Sequence, residues 1–512
     1  MPARTAKSRA VIAAAVIVLV SAAGCSSSSK HATSPSSTTT TPSPSTAPIA
    51  RPLNTAVAVP TVVGPVTGGT PDIPMNAMLA SYKAAYGYQE AEFFMEGTAT
   101  SYNAKGALGL DGKWSVTPGT KAPYKTRLIV RTPVDPRKFN GTVIVEWLNV
   151  TSGRDSDPDF GFAAPQLLRD GFAYVGVTAQ QVGVNGGAAI PIPGYHPKGL
   201  VDQNPGRYKS LHHPGDQYSY DIFSQAAQAI LHPDGPSPLG TLRAARLIAD
   251  GESASAFRLV TYVNAIAPLT NIYDGFMIHS RSGGGTELEP TRAGAVPSTA
   301  HIRTDLHVPV LMLATETDLF GLKFYPALQP DTPLIRTWQM AGTAHADQST
   351  LAYGISSGRQ WDKTSVVPDF KAMCGSINDG PEQYIVRAAF SALNAWVAHG
   401  TPPAHSPAIR VVDGAIARDA HGDAIGGIRT PAVDVPTESL SGEYDPNKSV
   451  ICSLFGSRAP FTAATLKHLY PTHADYVVRV KAAAAAAVNA GFLLAPDAQT
   501  IEQQAQSARV PG

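Results

Sequence analysis

The sequence has few cysteines, no excess of either charge and no long apolar segment beyond its start. Of 512 residues, 3 are Cys, and none lies in a CxxC motif or a Cys/His cluster, which argues against a zinc site. Lys and Arg number 40 against 39 Asp and Glu, so no basic surplus indicates a nucleic-acid partner. After residue 25, no segment is long and apolar enough to cross a bilayer. At 43% hydrophobic residues, the chain can still bury a large core.

Residues 1–25 have the layout of an export signal. A positively charged start precedes an apolar run over 10–20, which is too short to span a membrane. The small residues before Cys25 resemble a bacterial lipobox, so we expect Cys25 to be lipidated and the protein to be an envelope lipoprotein on the outer face of the membrane. If Cys25 is not lipidated, the signal is simply cleaved and the protein is secreted. Residues 26–54 are rich in Ser, Thr and Pro and predict a disordered tether.

Cys374 and Cys452 are the two remaining cysteines. In an exported protein, an oxidising setting favours a disulfide between them. The alternative is two separate buried thiols.

The chain from 55 to 512 is interpreted as one α/β domain. Short apolar runs without alternation predict strands covered on both faces, at 126–131, 142–147, 173–178, 246–249, 276–279, 309–314 and 334–339. Helical patterns lie between or after them at 162–169, 220–232, 254–266 and 381–397. This alternation predicts a mostly parallel sheet with helices on both faces.

Two Gly- and Pro-rich stretches, near 183–217 and 281–305, interrupt this rhythm. Insertions of that size are cap-like, and they either roof the substrate pocket or decorate the surface. A C-terminal extension follows residue 405 and contains an Ala-rich helix at roughly 475–490.

A strand, a sharp turn and a helix are predicted around Ser253. The apolar run ends at Asp250-Gly251, and a helical pattern begins directly after the Ser. A Ser at such a turn projects from the sheet, and the backbone N–H groups that open the helix can face a developing oxyanion. We interpret Ser253 as a nucleophile; a helix N-cap is the alternative role.

Two later strands carry an acid and a base at their carboxyl ends. Asp318 follows the strand at 309–314, and His345 follows the strand at 334–339. Sites on open parallel sheets form at these ends, so we expect both residues near Ser253. The order Ser, acid, His is that of α/β-hydrolases. His279 at another strand end competes as the base, and Asp318 could merely cap the helix after it.

The sequence resembles the α/β-hydrolase superfamily and, more narrowly, the bacterial family of large, often exported alpha/beta hydrolase domain proteins. The resemblance reaches from about residue 55 to the C-terminus and is carried by Val143–Asn149, Asp216–Phe223, Gly251–Ser255, Thr315–Phe320, Ala341–Asp347 and Gly426–Pro431. It implies an α/β-hydrolase fold and a triad of Ser253, His345 and Asp318, with Glu316 as the alternative acid. It also implies an oxyanion hole made by the N–H of Ala254 and that of Asn149 or Val150. It implies no cofactor and no metal.

Three residues depart from the simplest pattern. Ser255 stands where G-x-S-x-G has its last Gly, a modest enlargement at a place where the helix approaches a strand closely. A complete G-x-S-x-G surrounds Ser356, but it follows a poor strand and comes after His345, so Ser356 is interpreted as a loop serine. Glu146, an acid within an apolar strand, is expected to make a structural hydrogen bond.

Together these features predict a serine hydrolase that cleaves carboxylic esters through an acyl-enzyme intermediate. The expected substrate is a small-molecule or lipid ester, and the expected membrane contact is the lipid anchor. An amidase or acyltransferase would use the same triad. A catalytically silent binding lipoprotein with this fold is the alternative from a different class.

Overall fold

The computed structural model describes residues 51–187, 190, 192, 194–289, 294–363 and 368–511. The predicted export signal, Cys25 and the tether up to residue 50 lie outside this described part, and their roles stay predictions. Within it, none of the helices combines the length and the apolar character needed to cross a membrane.

A nine-stranded sheet forms the centre of the described chain. Its strands are β1 (Thr61–Val63), β2 (Tyr88–Ala104), β3 (Val116–Pro133), β4 (Thr142–Trp147), β5 (Ala173–Val177), β6 (Arg246–Glu252), β7 (Gly275–His279), β8 (Val310–Thr315) and β9 (Ile335–Met340). Their spatial order is β1-β2-β3-β5-β4-β6-β7-β8-β9. The pairs from β5 to β9 are parallel, whereas β1, β2, β3 and β5 pair antiparallel. The predicted strands and the mostly parallel sheet are therefore confirmed.

Helices and small ribbons make up the rest of the regular structure. The helices are α1 (Ala80–Tyr86), α2 (Pro158–Arg169), α3 (Gln181–Asn185), α4 (Leu200–Gln203), α5 (Pro205–Tyr208), α6 (Ser219–Leu231), α7 (Ala254–Thr261), α8 (Ala267–Thr270), α9 (Glu316–Phe320), α10 (Gln348–Trp361), α11 (Phe370–Cys374), α12 (Glu382–His399), α13 (Pro431–Asp434), α14 (Val450–Ser453), α15 (Ala463–Leu469), α16 (His473–Asn489) and α17 (Ala495–Ser507). A π-helical turn, Tyr262–Ile266, joins α7 to α8, and 3-10 turns lie at Pro136–Lys138, Asp216–Tyr218 and Tyr325–Ala327. The ribbons pair β10 (Val411–Val412) with β11 (Ala415–Ile416) and β12 (Glu438–Ser441) with β13 (Ser457–Pro460). The predicted helices correspond to α2, α6, α7 with its π turn, α12 and the Ala-rich α16.

Both faces of the sheet are covered. Along β4, Val143 is buried in one apolar cluster and Ile144 in another, because neighbouring side chains of a strand point to opposite faces. Phe223 of α6 belongs to the first cluster, which α7 also joins. Leu393 of α12 belongs to the second, which α2 also joins. Helices on both faces explain why the central strands carry buried apolar residues on both sides.

The local pattern does not predict β2, because this strand carries two acids whose side chains are fully buried. Glu90 lies 3.0 Å from the guanidinium of Arg131, and Glu92 lies 3.1 Å from that of Arg127. Both Arg residues belong to the neighbouring β3. Because each buried carboxylate has an opposite charge beside it, a strand with acidic residues can lie in the interior.

The two insertions contact different elements of the fold. In the first, Tyr208 and Leu211 are buried with Phe94 of β2. In the second, the N–H of Thr286 donates to the carbonyl of Phe257 in α7 at 3.1 Å. The first insertion also contributes to a cavity described below.

The predicted disulfide between Cys374 and Cys452 is present and joins α11 to α14. The two half-cystines are 78 residues apart in the sequence. Ile377 and Phe455 complete a small apolar cluster around the bond. The disulfide therefore ties the C-terminal region to the segment that follows α10.

Ser356 lies inside α10, which corrects its interpretation as a loop serine. Gly and Ser favour helices weakly. Here the Asp347 side chain accepts the N–H of Thr350 and caps the helix, and Tyr353 and Trp361 are buried against the core. Cap and packing outweigh the local preference, and no strand precedes Ser356 to form a nucleophile turn.

Candidate active site

Ser253 occupies a strained turn between β6 and α7. Its backbone has φ 57° and ψ −122°, a region that side chains other than Gly rarely adopt. The turn is held by the Ser253 N–H, which donates to the carbonyl of His279 on β7 at 2.9 Å. The Ser253 hydroxyl makes no capping hydrogen bond to α7. The strand, sharp turn and helix predicted here are present, and the N-cap alternative is not the role that the hydroxyl takes.

Gly251 provides the room for Ser255. A Cβ on Gly251 would lie 3.0 Å from the Cβ of Ser255 and 3.1 Å from Cδ1 of Leu259. Ser255 itself is fully buried. The elbow therefore accepts a Ser at its last position because the Gly before the nucleophile leaves that space empty.

Ser253, His345 and Asp318 are joined by hydrogen bonds, as their positions at three strand ends predict. The Oγ of Ser253 lies 2.7 Å from Nε2 of His345, and Nδ1 of His345 lies 2.7 Å from Oδ1 of Asp318. The exposed fractions of the three residues are 9%, 4% and 0%. Of these three hydrogen-bonded residues, Ser253 is the most exposed and Asp318 is fully buried.

Asp318 has two hydrogen-bonding roles at once. Its Oδ2 accepts the N–H of Thr315 at 2.7 Å and so caps α9, while its Oδ1 is bound to His345. The helix cap fixes the carboxylate, and this fixes the imidazole. Both roles considered for Asp318 in the sequence are present together.

Glu316 makes no hydrogen bond to His345. Its carboxylate accepts the N–H of Gly342 at 2.7 Å and that of Gly442 at 3.1 Å, and it pairs with Arg418 at 3.0 Å. These contacts tie the β9 loop to the C-terminal region. The geometry gives Glu316 a structural role and does not support it as the alternative acid.

His279, the other candidate base, has both ring nitrogens bound to carboxylates and not to Ser253. Its Nδ1 lies 2.7 Å from Asp159 and its Nε2 lies 3.1 Å from Glu382, all fully buried. Burial lowers the pKa of His279, but the two carboxylates outweigh it and raise this pKa well above its ordinary value. The protonated form of His279 is therefore favoured between the two acids.

The predicted oxyanion donors differ in availability. Ala254 is the first residue of α7, where a helix N–H has no intrahelical acceptor. The prediction that the Asn149 N–H binds the oxyanion is corrected. This N–H donates to the carbonyl of Ser156 at 2.9 Å and is already used. Its side chain instead donates to the carbonyl and the carboxyl of Glu252, at 3.0 and 3.1 Å. Val150 is left as the second candidate donor.

Glu252 is a residue near the site that the sequence analysis does not identify. Its Oε1 lies 3.6 Å from Nε2 of His345. Burial raises the pKa of Glu252 well above its ordinary value; His279 opposes this shift, and the charges of Asp159 and Glu382 add to it. The neutral acid form is therefore favoured beside the imidazole. The sequence does contain a signal for this residue, because an acid stands directly before the Ser of an otherwise apolar turn.

Three buried carboxyl groups lie beneath the elbow, on Glu146, Asp159 and Asp250. One oxygen from each lies within 4.8 Å of the others, close enough to hold a metal ion. Glu146 accepts the N–H groups of Asp159 and Phe160 and the O–H of Tyr174, so its predicted structural hydrogen bond is confirmed. Burial, followed by the charge of Asp159, raises the pKa of Glu146 and of Asp250 well above the ordinary range. The neutral forms of Glu146 and Asp250 are therefore favoured, which lowers the repulsion within the cluster.

A cavity of about 230 Å³ lies between the loop after β4 and α10; Ser253, His345 and Asp318 do not line it, and its link to the site is through these two elements. The loop carries the candidate donor Val150, and α10 begins three residues after His345. The walls include Ser156, Thr350, Tyr353 and two residues of the first insertion, Ile192 and Tyr195. The cavity is of a size and character suited to part of a small organic molecule.

The sequence profile of the alpha/beta hydrolase domain family matches residues 62–503. The chain belongs to this family. Membership makes it a hydrolase in general terms and agrees with the mostly parallel sheet. No curated protein matches the sequence of this alpha/beta hydrolase.

Several solved structures are similar to the alpha/beta hydrolase. A serine hydrolase without a lid from Xanthomonas campestris is 13% identical, over 52% of this chain and 97% of its own, with a TM-score of 0.27. A cold-adapted esterase from an Arctic intertidal metagenomic library is 11% identical, over 49% and 84%, with a TM-score of 0.27. A prolyl endopeptidase is 14% identical, over 52% and 43%, with a TM-score of 0.27. At these identities, none of them transfers a substrate to this hydrolase.

Proposed function

We propose that this alpha/beta hydrolase is a serine hydrolase that cleaves carboxylic esters with Ser253, His345 and Asp318. The observation that carries the proposal is the continuous chain of two 2.7 Å contacts from the Ser253 hydroxyl through His345 to Asp318. A serine hydroxyl becomes nucleophilic only beside a base, and the base must be oriented by a third group.

The proposed reaction has two halves. In the first, Ser253 Oγ attacks the ester carbonyl carbon and His345 Nε2 takes its proton, while Asp318 stabilises the imidazolium through Nδ1. The N–H groups of Ala254 and Val150 bind the oxyanion. The carbonyl carbon–alkoxy oxygen bond then breaks, and His345 gives its proton to the departing alcohol. In the second half, His345 deprotonates a water molecule as it attacks the acyl carbon, the bond between that carbon and Ser253 Oγ breaks, and His345 returns its proton to Oγ as the acid is released.

An ester is favoured over an amide because its alcohol leaves with less protonation help than an amine requires. An amidase or acyltransferase would use the same residues. Matched p-nitrophenyl esters and p-nitroanilides, each assayed with and without acceptor alcohols, separate the three activities by their products.

The location in the cell belongs to the same proposal. We propose that residues 1–25 direct export, that Cys25 is lipidated and that the chain up to residue 54 tethers the enzyme to the outer face of the membrane. Mass spectrometry of the mature protein tests this directly. A lipid on an N-terminal Cys25 supports it, whereas an unmodified N-terminus favours simple secretion.

A fluorophosphonate probe tests the nucleophile. Ser356→Ala removes an exposed serine, the one in the complete G-x-S-x-G. Wild type and this variant are expected to be labelled equally. Ser253→Ala is expected to be unlabelled and to retain the wild-type circular dichroism and melting temperature. Correctly folded wild type that takes no label would support the silent binding protein instead.

A further inference from the structure

Arg154 is a half-buried cation on the wall of the cavity between the loop after β4 and α10. The carbon of its guanidinium lies 4.9 Å from the ring centre of Trp361 and 5.4 Å from that of Tyr195. Within the part of the chain that the structure describes, no carboxylate lies within the 4.0 Å ion-pair distance of this guanidinium. The two rings cover the guanidinium and leave its N–H groups without an anion.

The two acids that share this cavity wall, Asp155 and Asp157, form ion pairs with other cations. Asp155 lies 2.8 Å from the buried guanidinium of Arg127. Asp157 lies 2.7 Å from the buried guanidinium of Arg131. Neither acid forms an ion pair with Arg154, so no described carboxylate of the cavity wall lies within 4.0 Å of its guanidinium. An anion in the cavity would supply that ion pair.

The position of Arg154 relates the cavity to the nucleophile. Its loop begins at Asn149, whose side chain is bound to the carbonyl of Glu252, the residue before Ser253. One short loop thus carries the candidate oxyanion donor near its start and Arg154 further along. A ligand whose anionic end is held by Arg154 has the rest of its length beside this loop, which leads to Ser253.

We propose that Arg154 binds a carboxylate of the substrate, so that the enzyme prefers esters with a free carboxylate at the end remote from the scissile bond. This rests on the proposed ester hydrolase function. A single guanidinium, with no second cation among the described lining residues, matches a singly charged planar carboxylate better than a dianionic phosphate. The apolar side chains of Ile192 and Leu351 beside it suit a short hydrocarbon chain and strengthen a charge pair by excluding water.

Kinetics with two esters of equal length test the preference. Mono-p-nitrophenyl adipate and p-nitrophenyl hexanoate have six-carbon acyl chains and differ in the terminal carboxylate. In Arg154→Gln, kcat/KM for the adipate is expected to fall roughly ten- to hundredfold, while that for the hexanoate stays within about threefold. Arg154→Lys should recover part of the loss. Arg169→Gln, which removes the same charge from the end of α2, is the control and should change neither.

Equal effects of Arg154→Gln on the two esters would overturn the inference. So would a wild-type kcat/KM for the hexanoate as high as for the adipate. Melting temperatures of both Arg154 variants show whether a loss comes from unfolding, and Arg154→Lys keeps the test readable if the Gln variant is unstable.

A binding measurement separates this inference from the proposed reaction. Ser253→Ala is titrated calorimetrically with monomethyl adipate and with neutral dimethyl adipate, and inorganic phosphate is added as a competitor. Monomethyl adipate is expected to bind at least about tenfold more tightly, to lose this advantage in Ser253→Ala/Arg154→Gln and to resist phosphate. Equal binding of the two esters, or displacement by low phosphate concentrations, contradicts a carboxylate site. Selective binding by an enzyme that hydrolyses no ester would contradict the proposed function and leave the carboxylate site intact.

Discussion

His345 meets Asp318 through a 2.7 Å contact between Nδ1 and Oδ1, while Glu316, two residues earlier, is bound to backbone N–H groups of Gly342 and Gly442. The first turn of α9 therefore separates an acid directed at the imidazole from an acid that ties two loops together. The capping box decides which is which, because Asp318 is the third residue of α9 and its second oxygen accepts the N–H of the N-cap residue, Thr315.

Exchange of the two acids for their amides should have different consequences. Asp318→Asn is expected to lower kcat for ester hydrolysis by roughly 10³- to 10⁴-fold, because the amide no longer stabilises the imidazolium. Glu316→Gln is expected to lower the melting temperature and to leave kcat of the folded enzyme within about threefold. The folded fraction of each variant, measured by circular dichroism, normalises both rates. A loss of kcat in Glu316→Gln as large as in Asp318→Asn would exchange their roles.

Glu252 should tolerate an amide at neutral pH. Burial favours its neutral form, and Gln has nearly the same shape and no charge. Glu252→Gln is therefore expected to keep kcat at pH 7 within about threefold of wild type. Glu252→Ala, which leaves the buried side chain of Asn149 without one of its acceptors, should cost roughly tenfold or more in kcat or a measurable drop in melting temperature. Equal, large losses of kcat in both variants would show that the charge of Glu252 is needed.

The fold is predictable where local pattern and packing agree. Central strands such as β4 and β8 lie between two layers of helices, so their uninterrupted apolar runs predict them. β2 escapes this pattern because Glu92 finds its partner in Arg127, 35 residues later and on another strand. Ser356 shows the same limit: its Gly- and Ser-rich surroundings indicate a loop, but the Asp347 cap and the packing of α10 make a helix.

The site is predictable to the extent that chain order places residues at strand ends. Ser253 follows β6 directly and His345 lies in the loop after β9, which ends at Met340, so topology brings them to one edge of the sheet. Which N–H groups stay free depends on how a loop closes on itself, as the pairing of Asn149 with Ser156 shows. The contacts of Arg154 with Trp361 and Tyr195 likewise depend on packing between distant segments, and no spacing in the sequence predicts them.

Gly251 should resist even a methyl group. A Cβ there would lie 3.0 Å from that of Ser255, so Gly251→Ala is expected to destabilise the elbow by about 1–3 kcal/mol and to lower kcat. Ser255→Gly removes one of the opposing atoms, and the double variant Gly251→Ala/Ser255→Gly should recover part of the loss. Urea unfolding and active-site titration measure the two effects. A double variant no better than Gly251→Ala would place the strain elsewhere.

The disulfide should contribute to stability without affecting the chemistry. It closes a loop of 78 residues, so Cys374→Ser/Cys452→Ser is expected to lower the free energy of unfolding by about 2–4 kcal/mol. Labelling of Ser253 at 25 °C should be unchanged. Wild type in reductant serves as the control and should melt near the double variant, whose own melting temperature reductant leaves unaltered. A double variant as stable as oxidised wild type would contradict this contribution.

Asp347 should make stability depend on pH. Burial raises the pKa of its carboxyl from 3.8 to about 6, so the folded state holds this proton more tightly than the unfolded chain does. Its favourable contribution is complete below pH 3.8 and is lost as the pH rises through about 6, above which the buried carboxylate costs free energy. Asn keeps an oxygen for the N–H of Thr350 and carries no charge.

Asp347→Asn is therefore expected to be more stable than wild type at pH 8 by up to about 3 kcal/mol, and to have lost this advantage at pH 4. Urea unfolding at the two pH values measures the difference. Asp369→Asn, at the exposed cap of α11, is the matched control for a change of cap residue without burial. The control is informative because only a buried carboxylate must give up its hydration. An advantage of Asp347→Asn that is the same at pH 4 and pH 8 would mean that Asp347 stays charged in the folded protein.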